Sequence, residues 1–228
     1  MQNQNSKNII QIAGIIDEVE AKMVLNAGAT HLGFPFRLDF NKEDLTEEYA
    51  AQIIKNLKIS DKAVLITYLD KSDEIIALAG FLGCATVQLH GPIGLMELEK
   101  LRKKAPNLHI WKSLVVKTDN VDELTQMVLL LGNFVDAFIT DTYNPETGAS
   151  GATGKTHDWQ VSKKITKLSE KPVIIAGGLN PENVYEAVIQ IKTFGVDVHT
   201  GVENADGRKD PIKVKAFIDE ANRGFSMI

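Results

Sequence analysis

Residues 137–159, AFITDTYNPETGASGATGKTHDW, read as one strand-to-helix unit. Ala137, Phe138 and Ile139 form a short apolar strand that stops at a lone acid, Asp141. A long loop rich in Gly, Thr and Ser follows, and a helix is expected to begin near His157. A carboxylate at a strand end beneath a mobile Gly-rich cover is a common way to hold a proton-transfer group over a bound ligand. The competing interpretation of these residues taken alone is a long surface turn with an incidental Asp.

The same unit recurs on both sides of this stretch. Short apolar runs return every ~25–30 residues, separated by segments of helical periodicity, a pattern of βα units on a parallel sheet. The other runs fall at 9–13, 30–36, 63–69, 85–90, 109–116, 172–176 and 195–200. Helices are predicted over 17–26, 46–57, 72–82, 121–131 and 211–222, with a further one ending before Pro106. Gly28 is expected as the C′ residue of the first helix, and Thr46 as an N-terminus whose capping box is imperfect. Ser72 is expected to cap the third helix, and Asn180-Pro181 to open the seventh as N-cap and N1. Eight sequential units without a linker predict an α/β fold of one domain, a (β/α)8 TIM barrel over 9–228, closed by pairing of the first and eighth strands. Residues 1–8 are expected to form a disordered or extended tail. A doubly wound open sheet is the alternative, for which eight uninterrupted units would be long.

Composition narrows the class. The 228 residues suffice to bury a full core, and the net charge of −5, with Lys and Arg spread along the chain, gives no support to nucleic acid or an anionic membrane as partner. The single cysteine, Cys84, excludes an internal disulfide framework and fits a reducing compartment. The polar start MQNQNSKN lacks the apolar run of a signal peptide, and no segment approaches the ~18–20 apolar residues that span a bilayer. A soluble cytoplasmic protein is expected.

In such a barrel the C-terminal ends of the strands and the loops after them make the site. Those ends carry Ala13, the stretch 34–37 ending in Arg37, Tyr68, Gln88, His90, Lys112, Asp141, Gly177-Gly178 and His199-Thr200-Gly201. Gly177-Gly178 and Thr200-Gly201 fall on the two loops where barrels often bind phosphate through bare N–H groups and a helix N-terminus. A Gly-Gly pair also serves any turn that needs positive φ. Gln88 and His90 share the inward face of their strand and are candidates for sugar contact. Lys112 would add a cation if it points inward, and Lys155 lies in the Gly-rich loop. His31, His109 and His157 show no metal-ligand spacing, so no metal site is expected. Cys84 precedes the fourth strand, at the opposite end of the barrel, and is expected to be buried and inert.

Four motifs together resemble the phosphoribosylanthranilate isomerase family of tryptophan biosynthesis, over nearly the whole chain. They are Val87-Gln88-Leu89-His90-Gly91; Asp141-Thr142 followed by Gly154-Lys155-Thr156-His157-Asp158-Trp159; Gly177-Gly178-Leu179-Asn180-Pro181-Glu182-Asn183-Val184; and Asp197-Val198 followed by Gly201-Val202-Glu203. The resemblance implies an Amadori rearrangement, in which an aminoaldose phosphate is opened and isomerised to a 1-amino-1-deoxyketose phosphate. An acid protonates the ring oxygen, and a base removes the proton on C2 of the imine. The family's acid carries over to Asp141, and its phosphate-binding main chain to Gly178 and Gly201. No metal or organic cofactor is implied, and the partner is a phosphorylated small-molecule substrate, bound by a monomer or homodimer.

The chain departs from that family at three places. The family's strand-one motif, Lys-Ile-Cys-Gly, supplies a Cys as base, whereas this chain reads Gln11-Ile12-Ala13-Gly14. A methyl group accepts no proton, and general-base catalysis is worth ~10²–10⁴-fold. The loop after strand two offers only Arg37 where the family places several basic residues, including an Arg for the anthranilate carboxylate. After the strand-eight Asp-Val the family has small hydroxyl residues, and this chain has His199. Period two puts Asp197 and His199 on one face. His199 is therefore hypothesised as a replacement base beside Ala13, with Asp197 biasing its tautomer; the alternative is that it only fills the vacated volume or binds a phosphate oxygen. Three functions remain open: this isomerase with altered residues, an isomerase-like enzyme on another phosphorylated sugar, or a non-catalytic phospho-ligand binder.

Overall fold

Apolar runs too short to be helices, each ended by a turn residue, become the strands of a closed parallel barrel. A computed structural model describes residues 8–38, 45–142 and 158–228. The expected lid, Lys155, the end of the loop after strand two and the tail at 1–7 lie outside the described residues, while the helix expected near His157 starts at Trp159 with Asp158 as its cap. The strands are β1 (Ile9–Ala13), β2 (His31–Phe36), β3 (Ala63–Thr67), β4 (Thr86–Leu89), β5 (His109–Val116), β6 (Ala137–Thr142), β7 (Val173–Ile175) and β8 (Gly195–Val198). They follow one another round a closed barrel in sequence order, and β1 pairs with β8 in parallel, Gln11 opposite Asp197 and Ile12 opposite Val198.

The helices are α1 (Glu18–Ala27), α2 (Glu47–Leu57), α3 (Ser72–Leu82), α4 (Leu95–Lys104), α5 (Val121–Leu131), α6 (Trp159–Leu168), α7 (Val184–Ile191) and α8 (Pro211–Phe225), with a 3-10 turn at Thr200–Val202. Their ends follow the capping chemistry. The side chains of Asp17, Thr46, Asp158 and Asp210 accept first-turn N–H groups, and Gly28 closes α1 at φ 111.

Two expectations are corrected. Ser72 is the first residue of α3 rather than its cap: Lys71 holds the cap position, and both the N–H and the Oγ–H of Ser72 donate to Glu97 Oε2 on α4. Asn180-Pro181 does not open α7, which starts at Val184. The Asn180 side chain instead accepts from the N–H groups of Glu182 and Asn183 and closes a separate turn ahead of the helix.

Alternation along the strands divides the interior. Outward residues such as Ile12, Phe34, Leu65, Val87, Leu114, Phe138 and Val196 pack beneath the helices in one continuous core. Inward residues Ile9, Ala13, Val64, Ile66, Trp111, Ala137, Ile139, Ile174 and Ala176 fill the barrel. His31 tilts against Trp111, ring centroids 5.1 Å apart, and burial pushes its imidazole down to about 4, so it is neutral packing. Cys84 is buried at the N-terminal end of β4, where burial pushes the thiol up to about 12.

Candidate active site

Above the apolar filling the barrel turns polar. Gln11 Nε2 donates to both Gln88 Oε1 (2.9 Å) and Asp197 Oδ1 (3.0 Å). Gln88 Nε2 donates to Ser113 Oγ (3.3 Å), which also meets His90 Nδ1 at 3.1 Å. This ladder runs from strand to strand across the barrel and locks each side chain in one rotamer. Gln88 is therefore spent on internal bonds, with 2% of its surface exposed.

One pocket at the C-terminal mouth is lined by Asp141, Gly177, Gly178, Asp197, His199, Thr200 and Gly201 together with Ala176, Leu179 and Val198. Seven of the residues expected in the site thus meet in one place. Asp141 is buried at the end of β6, and burial raises its carboxyl above the usual carboxylate range, opposed by His90 and by the N–H of Thr142. Asp197 is buried too, pushed up to about 7 by burial and by the neighbouring Asp141. Two carboxyls thus share one pocket, and burial favours the protonated form of each.

The glycine turns are built for close approach. Gly177 and Gly178 have φ of 86° and 64°, and a Cβ on Gly177 would stand 2.0 Å from Thr142 Oγ1. A Cβ on Gly201 would stand 1.9 Å from the Leu179 carbonyl oxygen, so the loop after β8 can lie against the loop after β7 only because Gly201 is bare. Among the described residues no carbonyl accepts from the N–H of Gly177 or Gly178. Such N–H groups beside the short turn at 200–202 can receive an anion.

His199 stands where β1 and β8 meet. Extending the β1–β8 register by one residue sets it beside Ala13. Its ring lies over Gly14, whose φ is 73°, and Nε2 is 3.3 Å from Glu203 Oε1. The carboxylate in contact with the ring is thus Glu203 and not the expected Asp197, which bonds to Gln11; among the described residues no hydrogen bond joins either acid to His199. Burial, with the Lys209 ammonium adding to it, pushes His199 down to about 3, so the ring is neutral at working pH.

Two other expected residues lie elsewhere. Arg37 makes a bidentate pair with Glu47 at the start of α2 and lines a groove with Leu69, Glu74 and Phe81 on the outside of the barrel. Lys112 is next to inward-facing Trp111 in the strand and so points outward, where its ammonium is buried and donates to the carbonyls of Leu89, Gly91 and Ser113. It adds no cation to the mouth. Burial pushes it down to about 8. Among the described residues no group of three His, Cys, Asp or Glu could hold a metal, and no helix is long and apolar enough to cross a membrane.

Glu203, Lys209 and Glu20 were not expected as site residues. Lys209 Nζ donates to Glu203 Oε1 at 2.6 Å, and its backbone N–H donates to Glu20 Oε2 at 2.9 Å. The one hint in the sequence is Glu203 within its Gly-Val-Glu motif; nothing local points to its partners.

Fold and site define the class: a (β/α)8-barrel protein with buried carboxyls and two bare glycine turns around one pocket at its C-terminal face. The pattern described as N-(5'-phosphoribosyl)anthranilate (PRA) isomerase matches residues 10–220. The chain is 36% identical over 217 residues to N-(5'-phosphoribosyl)anthranilate isomerase 2 of Methanosarcina mazei, covering 95% of each. It is 32% identical over 209 residues to the enzyme of Methanothrix thermoacetophila, covering 92% of this chain and 95% of that one. The crystal structure of phosphoribosyl anthranilate isomerase from Thermotoga maritima superposes with a TM-score of 0.78 at 27% identity, over 95% of this chain and 99% of that one. The chain belongs to the phosphoribosylanthranilate isomerase family.

Proposed function

We propose that the chain catalyses the Amadori rearrangement of N-(5'-phosphoribosyl)anthranilate to the 1-amino-1-deoxyribulose phosphate, a step of tryptophan biosynthesis, in the cytoplasm and without a cofactor. The observation that carries this reading is the convergence of Asp141 and the Gly177-Gly178 and Thr200-Gly201 turns on one pocket. The bare N–H groups of the turns hold the phosphate and fix the ribose across the mouth. Asp141, whose protonated form is favoured by burial, gives its proton to the ring oxygen as the C1–O bond breaks, leaving an iminium. A base then removes the proton from C2 to give an enolamine, which takes a proton back from that base at C1 while the C2 hydroxyl proton returns to the Asp141 carboxylate. Ala13 supplies no base, and His199 beside it takes that role, with His90 close enough to Asp141 to act on the acid electrostatically.

A second reading, an isomerase on another phosphoribosylamine, is favoured by one observation: Arg37 is held by Glu47 outside the pocket. Purified protein assayed with N-(5'-phosphoribosyl)anthranilate, alongside complementation of a tryptophan auxotroph lacking the isomerase, separates the two. Turnover and growth that both require Asp141 are expected. Phosphate binding without turnover of this substrate shifts the assignment to the second reading.

A further inference from the structure

We propose that Lys112 is a positioning residue for the acid, clamping the backbone on both sides of His90 so that this side chain stays within reach of Asp141. This rests on the reading of Asp141 as the proton donor. The Lys112 side chain is buried on the outer face of β5, and its ammonium donates to the carbonyls of Leu89 (3.1 Å), Gly91 (3.0 Å) and Ser113 (2.8 Å). Three N–H groups meet three carbonyls, so the donors of the ammonium are all used. Among the described residues no carboxylate pairs with it. A buried cation without a counter-charge is costly, and two of the three carbonyls that hold this one flank His90.

The clamp begins where the ladder stops. Leu89 opposite Lys112 is the last pair between β4 and β5. Beyond it the ammonium holds the chain on the β5 side, while on the β3 side the His90 N–H donates to the Thr67 carbonyl at 2.9 Å. Residues 89–91 are thus gripped from both neighbouring strands, and the alternation of β4 continues far enough to bring His90 to the same inward face as Gln88. Inside the barrel, Ser113 Oγ lies 3.1 Å from His90 Nδ1, and the Tyr68 ring tilts against the imidazole with centroids 5.0 Å apart. Gly91 must be bare for this seat, since a Cβ there would stand 3.0 Å from both the backbone and the ring of Tyr68. Lys112 and Ser113, adjacent on β5, therefore hold one histidine by its backbone and by its ring.

The consequence falls on Asp141. His90 favours the ionised form of that carboxyl, against the burial that opposes it. When Asp141 gives its proton to the ring oxygen, a carboxylate forms in a buried place, and His90 is the group on β4 that favours it. The effect depends on the distance between the two side chains, and a displacement of about 1 Å at a reacting site can cost ~10²-fold in rate.

The test uses the full chain with Lys112→Met, His90→Ala and the two combined, assayed with N-(5'-phosphoribosyl)anthranilate. Met keeps the length of the side chain and removes its donors. Lys112→Met is expected to lower kcat roughly 10- to 100-fold. KM and the binding of inorganic phosphate should be nearly unchanged, because the phosphate turns follow β7 and β8. His90→Ala should cost about as much, and the double variant no more than His90→Ala alone. Losses that multiply in the double variant show a general structural effect and overturn the positioning role. An unchanged kcat in Lys112→Met or in His90→Ala, alongside loss in Asp141→Asn, also overturns it and leaves the acid standing. Full activity in Asp141→Asn overturns the acid reading and this proposal with it. Should Lys112→Met fail to fold, nitrogen-15 NMR of the native chain still decides. A slowly exchanging Lys112 ammonium is expected there, and one that exchanges as fast as a surface lysine refutes the clamp.

Discussion

The imidazole of His199 lies directly on the backbone of Gly14: a Cβ there would stand 2.1 Å from Nε2 and 2.7 Å from the two ring carbons beside it. The residue after Ala13 must therefore be bare for the ring to sit at the end of β1. Gly14→Ala is expected to expel the ring and to place Ala at φ 73°, a strain of about 1–2 kcal/mol. Thermal unfolding should show that modest loss, and kcat should fall toward the level of His199→Ala. A kcat equal to that of the native chain would show that the ring's seat is unimportant.

Asp141 is expected to act in its protonated form, because burial raises its carboxyl. Asp141→Asn should cut kcat by ~10² or more, the usual worth of a positioned acid, while binding of inorganic phosphate measured by calorimetry is retained. In the native chain kcat should decline as pH rises through the raised pKa and the proton is lost. Equal turnover in the Asn variant would remove Asp141 from the chemistry.

Asp197 links site and stability. Its carboxyl titrates at about 7 when folded, against 3.8 ordinarily. Between those values the folded chain keeps a proton that the unfolded chain has released, so this group's contribution falls as pH rises and its full cost is present above about 7. Asn keeps an oxygen for Gln11 and does not titrate. Asp197→Asn should therefore gain on the native chain between pH 4 and pH 8, by up to about 4 kcal/mol at 1.36 per pKa unit. Urea unfolding at the two pH values checks this, and a difference independent of pH would contradict it.

Gly201→Ala probes the phosphate loops. Its Cβ would meet the Leu179 carbonyl at 1.9 Å, so the loops after β7 and β8 must part. Losing one hydrogen bond to a charged group is worth about 1.5–3 kcal/mol, so KM should rise about tenfold or more with a smaller change in kcat. A change confined to kcat would place the phosphate elsewhere.

Much of this was legible in the chain, because strand and helix alternation, caps and turn glycines are short-range signals. Ile9–Ala13, His109–Val116 and Val121–Leu131 have the predicted bounds, and Asp141 with the paired glycines fell on the expected strand ends. Period two along β5 also implied that Lys112 and Trp111 face opposite ways, though not which of them faces in.

The composition of the site came from closure of the barrel. Gln11 meets Asp197 across 186 residues, and Lys209 meets Glu20 across 189. No local pattern encodes such pairs, since they exist only once β8 lies beside β1. The sequence by itself determined the barrel, the acid ending the sixth strand, the bare turns and a methyl rather than a base at Ala13. Only the tertiary structure decided that Glu203 rather than Asp197 faces His199 and that Arg37 and Lys112 are spent elsewhere. The physical reason is that backbone preference acts over a few residues, whereas burial and hydrogen bonding are set by whatever the fold brings within about 3 Å.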